Sequence, residues 1–149
     1  MATMALHLLK MCVGIESVER LREAQAHRLD RQRAAGQKPE LRHLTRNMPR
    51  RADEIVGEGS LYWIIKGHIR ARQRILALER LDDTNALKRC AIVLDSKIVE
   101  TEPWRARPMQ GWRYLQAADA PLDLNRAAGD RAQDMPPHMM AELRELGLL

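Results

Sequence analysis

The residues of this chain best suited to chemistry are concentrated between Leu41 and Leu78. Arg42, Arg46, Arg50, Arg51, Lys66, Arg70, Arg72 and Arg74 face only Asp53, Glu54 and Glu58 there, and the rest of the chain is balanced, so the segment accounts for the whole formal charge of +5. Twenty of the 25 basic residues are Arg, whose planar fork matches phosphate oxygens and base edges and stacks on rings. A localised excess predicts a basic patch wherever the segment folds onto one face. The five aromatic residues, with no Phe among them, are Tyr62, Trp63, Trp104, Trp112 and Tyr114. Rings beside arginines stack unpaired bases for roughly 1–3 kcal/mol each; in a chain without Phe the same rings also serve to fill a core. The candidate phosphate contacts are therefore Arg42, Arg46, Arg50, Arg51, Lys66, Arg70 and Arg72, with Tyr62, Trp63 or Trp112 as the stacking ring.

Other chemistry has thinner support. Arg70, Arg72 and Arg74 alternate, so a strand would set them on one face about 6.5–7 Å apart, and a solvated hairpin face would look the same. Pro49 suits the first turn of a short helix running to Ile55, whose open N–H groups would face an anion. His43, Thr45 and Lys66 are the candidates for a small hydrolase acting on a modified nucleoside or base, and His68 stands in the same segment, but no nucleophile spacing defines a triad. Glu100 and Glu102 read as solvated carboxylates. Gly57-Glu-Gly59-Ser60 lacks the Gly-Lys-Ser/Thr of a phosphate loop and reads as a turn. No Cys-x-x-Cys, His-Glu-x-x-His or acidic calcium loop is present, and Cys12 and Cys90 read as reduced core thiols, so neither metal nor cofactor is expected.

The elements that must position these residues follow from periodicity. Ala5–Val13 reads as a buried strand closed by Gly14; Ser17 caps a helix over Val18–Ala35 that Gly36 ends. Leu41–Asn47 suits a short strand. Leu61–Ile65 and Ile69–Ile75 read as a hairpin turning at Lys66–His68, with a helix over Ile69–Leu81 as the competing assignment. Of neighbours Tyr62 and Trp63, one would enter the core and the other face a cleft or solvent. Cys90–Leu94 is a further strand, Glu102–Pro108 an extended loop and Gly111–Leu115 another strand. Residues 123–133 read as a mobile linker and 134–147 as a terminal helix. One domain spans 1–149, with its core in 4–122. No apolar run approaches the roughly 20 residues of a membrane span, and no export signal is visible, so a cytoplasmic protein is expected.

Leu6–Gly14, Thr45–Glu54, Gly59–Gly67, Ile69–Ile75 and Gln110–Leu115 together resemble a conserved alphaproteobacterial family of unknown function. The layout, with Pro108-Met-Gln-Gly-Trp-Arg-Tyr-Leu115 carrying the likeness best, is similar to the PUA-like superfamily that includes the ASCH and EVE domains. That resemblance implies a small pseudo-barrel binding RNA or modified bases in a cleft. It does not extend to the acylated-cytidine hydrolysis of some ASCH members, because Lys66-Gly67 reverses the order of their Gly-x-Lys signature. The expectation is an α+β protein, a mixed and mostly antiparallel PUA-like pseudo-barrel with flanking helices. Its expected role is a non-catalytic RNA or modified-nucleobase binding module. The alternatives are the nucleoside hydrolase and a protein-interaction domain whose basic face meets an acidic partner.

Overall fold

Alternation of small or apolar with polar residues runs to Ile75, the strand continues beyond it, and His68–Arg80 forms a single strand of 13 residues, which resolves the choice between strand and helix. A computed structural model describes residues 5–81 and 89–124. Within them, β1 (Leu6–Met11), α1 (Val18–Ala34), β2 (Leu41–Thr45), β3 (Ser60–Ile65), β4 (His68–Arg80), β5 (Cys90–Leu94), β6 (Val99–Arg105) and β7 (Trp112–Gln116) follow in order. The anticipated terminal helix at 134–147, and all of the linker but its first two residues, lie outside the described residues.

β4 organises the sheet, whose order is β2-β5-β4-β3-β1-β7 with β6 also paired to β4. β3 runs along one side of β4 from Ile65↔His68 to Ser60↔Arg74. On the other side β5 and β6 run in succession, from Cys90↔Arg80 to Leu94↔Ile75 and from Val99↔Arg72 to Arg105↔His68. Every pairing is antiparallel except β1 with β3. The protein is thus a mixed α+β fold with an open seven-stranded sheet whose path ends at β2 and β7, with β6 paired to β4 alone among the described strands. Glu102–Pro108, read from sequence as loop, contributes the end of β6: Pro103 sits where the ladder is irregular, between the pairs Ala71↔Glu100 and Ile69↔Trp104, a position that costs no strand hydrogen bond.

One face of the sheet packs under α1, with Leu6, Leu8, Leu61, Trp63, Ile65, Ala71, Ile75 and Ile92 meeting Val18 and Leu21. Ser17 caps that helix by accepting the Arg20 N–H, and Gly36 adopts φ 73° just beyond its end. The opposite face carries a second cluster of Tyr62, Ile64, Ile69 and Leu115, covered by Ala106, Met109 and Ala120. β3 is consequently buried on both faces, and Tyr62 and Trp63 are 5% and 3% exposed. The expectation that one of them faces a cleft or solvent is corrected: the connection from β6 to β7 crosses the face that alternation alone would leave wet. A bulge in β4 between Ile69 and Ala71 sends these two residues to opposite clusters. Arg70 lies at that bulge, so Arg70, Arg72 and Arg74 do not form a regular row.

Inside the helix-side core lies a polar knot. Gln73 is fully buried; its Oε1 accepts the Trp63 indole N–H at 2.9 Å and the Gln25 amide at 2.8 Å. Its Nε2 donates to Gln25 Oε1 at 2.7 Å and to the Asp95 carbonyl at 2.9 Å. Gln73→Ala would strand the buried Trp63 indole and two partly buried partners and leave a cavity, each loss worth on the order of 1–3 kcal/mol. Urea unfolding is expected to show a loss of about 3 kcal/mol or more, with Gln73→Glu no better because it would bury a charge. At Gly59 an added Cβ would lie 2.2 Å from the Leu6 carbonyl oxygen and 2.7 Å from that of Ile55, so Gly59→Ala should destabilise far more than Gly57→Ser in the same measurement.

Candidate functional site

Ile65-Lys66-Gly67-His68 is a two-residue hairpin turn in which Lys66 and Gly67 have φ of 50° and 79°, the type I′ geometry that matches the twist of its strands. Its Gly67 carbonyl accepts the Ala106 N–H at 2.9 Å, which docks the chain leaving β6 against the turn. Between them opens a cleft of about 680 Å³ lined by Lys66, Gly67, His68, Arg105, Ala106, Arg107 and Pro108, within the size range of small-ligand sites. Four of those seven side chains are basic and none is a carboxylate. His68 Nδ1 lies 3.3 Å from the Lys66 carbonyl; since a carbonyl only accepts, that nitrogen carries the hydrogen and Nε2 is left for another partner. Glu16 lies 4.0 Å from the Lys66 ammonium, and both side chains are well exposed, so the pair is weak.

Of the residues singled out by sequence, Lys66 and His68 line this cleft. Arg51 is committed elsewhere: its guanidinium pairs with Glu54 at 2.6 and 2.7 Å and lies 5.6 Å from the Tyr114 ring centre, while its backbone N–H donates to the Tyr114 hydroxyl. Trp112 packs at 4.9 Å against Tyr114 and donates its indole N–H to the Asn47 carbonyl. Together these contacts fasten the 45–54 loop to β7. The expected helix from Pro49 to Ile55 is a single 3₁₀ turn over Ala52–Glu54, so that loop has no helix N-terminus to offer an anion. Arg46 and Arg50 are exposed and form no ion pair among the described residues, and Arg42 pairs with Glu79 at 3.6 Å. Arg74 donates to the Gly57 carbonyl. Tyr62 and Trp63 offer no open ring face, Trp63 being held by Gln73 and edge-on to His43 at 5.1 Å.

The hydrolase candidates are not brought together. His43 and Thr45 lie on β2, opposite Ile92 and Cys90, which pair with Leu78 and Arg80; Lys66 precedes His68 at the other end of β4. Thr45 is buried, with its hydroxyl donating to the Asn47 carbonyl. Glu102, read as solvated, is 6% exposed, and Glu100 lies 3.5 Å from Arg22. Cys12, whose thiol burial pushes up to about 11, and Cys90 are both free.

Sequence reasoning missed Arg105 and Arg107. The available signal was Pro103-Trp-Arg-Ala-Arg-Pro108, an aromatic and two arginines between prolines in the stretch read as an extended loop. Trp104 pairs with Ile69, a member of the second cluster, is 40% exposed, and directly precedes the lining residue Arg105. An open mixed sheet with one helix and a cation-lined cleft at its β3–β4 turn makes this a small α+β domain. Residues 8–149 match the family described as a protein of unknown function (DUF1489), and the chain belongs to that family. No curated protein and no solved structure matches it.

A second polar cluster lies on the face away from α1. Arg72 donates from Nε and Nη2 to the two Asp123 oxygens, both at 2.7 Å, and from Nη1 to Ser60 Oγ at 3.0 Å. Arg72, a sequence candidate for phosphate, is thereby occupied. His7 Nδ1 accepts the Ser60 N–H at 2.9 Å, and the ring meets Tyr62 edge-on at 5.0 Å. Burial, and then the Arg72 charge, hold the His7 imidazole below its ordinary 6.5. The unfolded chain therefore takes up a proton that the folded one resists, so the His7 contribution is complete above about pH 6.5 and is lost as pH falls from there through the lower folded value. Thermal unfolding between pH 7.5 and 5 is expected to show that decline, and His7→Gln, which keeps an acceptor for Ser60, should flatten it.

Proposed function

We propose that this protein is an RNA or modified-nucleobase binding module that grips the anionic backbone in the cleft between the β3–β4 turn and residues 105–108. The observation that carries this reading is the lining: Lys66, His68, Arg105 and Arg107 converge from two elements with no carboxylate among them. Arg and Lys supply the sequence-independent part of nucleic-acid affinity through counterion release. The exposed Trp104 ring supplies the stacking surface that buried Tyr62 and Trp63 cannot. The resemblance of Pro108–Leu115 to PUA-like domains supports the same assignment, and with it a reading of the open sheet as a PUA-like pseudo-barrel. Binding without turnover is the simpler reading, because the cleft brings together cations and no nucleophile–base pair.

The test is a titration of fluorescently labelled fragments of total cellular RNA with the purified protein, followed by anisotropy at several salt concentrations. Binding should weaken linearly in log[salt], and Arg105→Glu and Arg107→Glu should each lower affinity roughly tenfold and reduce the slope by about 0.7 or more. Absence of binding at low salt, or binding indifferent to both substitutions, would remove the assignment. Salt-sensitive capture of an acidic protein without RNA binding would replace it with a protein-interaction role.

A further inference from the structure

The basic lining does not end with the cleft. From Pro103 to Ala118 the chain contains Arg105, Arg107 and Arg113, together with Trp104, Trp112 and Tyr114, and no acidic residue. This stretch leaves β6, crosses the second cluster by burying Ala106 and Met109, and joins β7 at the edge of the sheet. Arg107, Pro108, Gln110 and Gly111 are exposed along the crossing. Arg113 is exposed as well, pairs across the ladder with Leu9, and holds its guanidinium against the Gln110 and Trp112 carbonyls. Leu9 packs against the second cluster, and residues opposite one another in a ladder share a face. Trp104, through its pairing with Ile69, and Arg113, through Leu9, therefore lie on the same face, one before the cleft and the other beyond it.

From these placements we infer that the cleft is one part of a longer track, and that its ligand is a single-stranded RNA of several nucleotides running along the crossing segment, with Trp104 stacking a base and Arg113 holding a phosphate. The inference rests on the cleft being an RNA site. The six residues after Arg107 can span at most about 20 Å, so Arg107 and Arg113 are close enough for one short oligonucleotide to touch both. A strand also suits the chemistry better than a duplex, because stacking on Trp104 requires an unpaired base.

A length series separates the parts of this inference. Uridine monophosphate, and oligouridylates of two, four and eight nucleotides, would be titrated into the full chain, with an eight-base-pair RNA duplex as comparison. Affinity should rise at least tenfold from the monophosphate to the octamer and be weaker for the duplex. Arg113→Glu should weaken the octamer severalfold and leave the monophosphate unchanged, Trp104→Ala should weaken the octamer by roughly 5- to 150-fold, the equivalent of one stacked base, and Arg107→Glu should weaken every ligand. Circular dichroism of each variant checks that it remains folded, and Arg113→Gln provides a milder replacement if the charge reversal does not. Equal affinity across the series, or an octamer indifferent to Arg113 and Trp104 while Arg107→Glu still weakens binding, would overturn the track and leave the cleft assignment standing. No binding of any of these ligands at low salt would overturn both.

Discussion

One buried carboxamide holds the helix-side half of this fold together. Gln73 lies midway along the longest strand, and its four hydrogen bonds reach the neighbouring strand through Trp63, the helix through Gln25 and the β5–β6 junction through the Asp95 carbonyl. An apolar side chain at that position would pack, but it would leave a buried indole N–H and a partly buried amide and carbonyl without these partners. The register of β3 on β4, the seating of α1 and the point where β5 gives way to β6 are therefore one linked constraint. The Asp95 N–H returns a bond to the Arg74 carbonyl, which fixes the same junction from the backbone side.

A further constraint is that β3 has no wet face. Its six residues are all buried, which requires one cover for the face under α1 and another for the opposite face. The β6–β7 connection supplies the second cover. Because Ala106 and Met109 point into the cluster, the residues between and around them must point out, and two of those are the arginines Arg105 and Arg107. The basic cleft is in this sense a by-product of how the connection buries its apolar residues.

Much of the fold was legible in the sequence. Alternation through Ile69–Ile75, the apolar run Leu61–Ile65, the Ser17 cap and the glycine after Ala35 each express a local preference that the tertiary structure does not override. The extent of β6 was not legible, because Pro103 reads as a strand breaker unless the ladder's irregularity there is known. Nor was the burial of both Tyr62 and Trp63, since period-two alternation cannot report a segment that arrives from forty residues away. The candidate site was legible only in part. Counting charge located Lys66 but also gathered arginines that meet carboxylates in space: Arg51 with Glu54, Arg72 with Asp123 and Arg42 with Glu79. Net charge along a chain does not distinguish neutralised arginines from those left available.

The parallel pairing of β1 with β3 sets the order in which this molecule can be completed. Leu8 stands between Leu61 and Tyr114, so the first strand of the chain is flanked only by strands that come much later. Contacts of such long sequence separation close large loops and are slow to form. On a ribosome, β1 emerges with an apolar sequence and no partner, waits for the hairpin of β3 and β4, and is enclosed on its second side only after β7 has been made. The strand at the beginning of the chain is thus among the last to be finished, and during that interval its exposed edge is where a chaperone or a second nascent chain would meet it first.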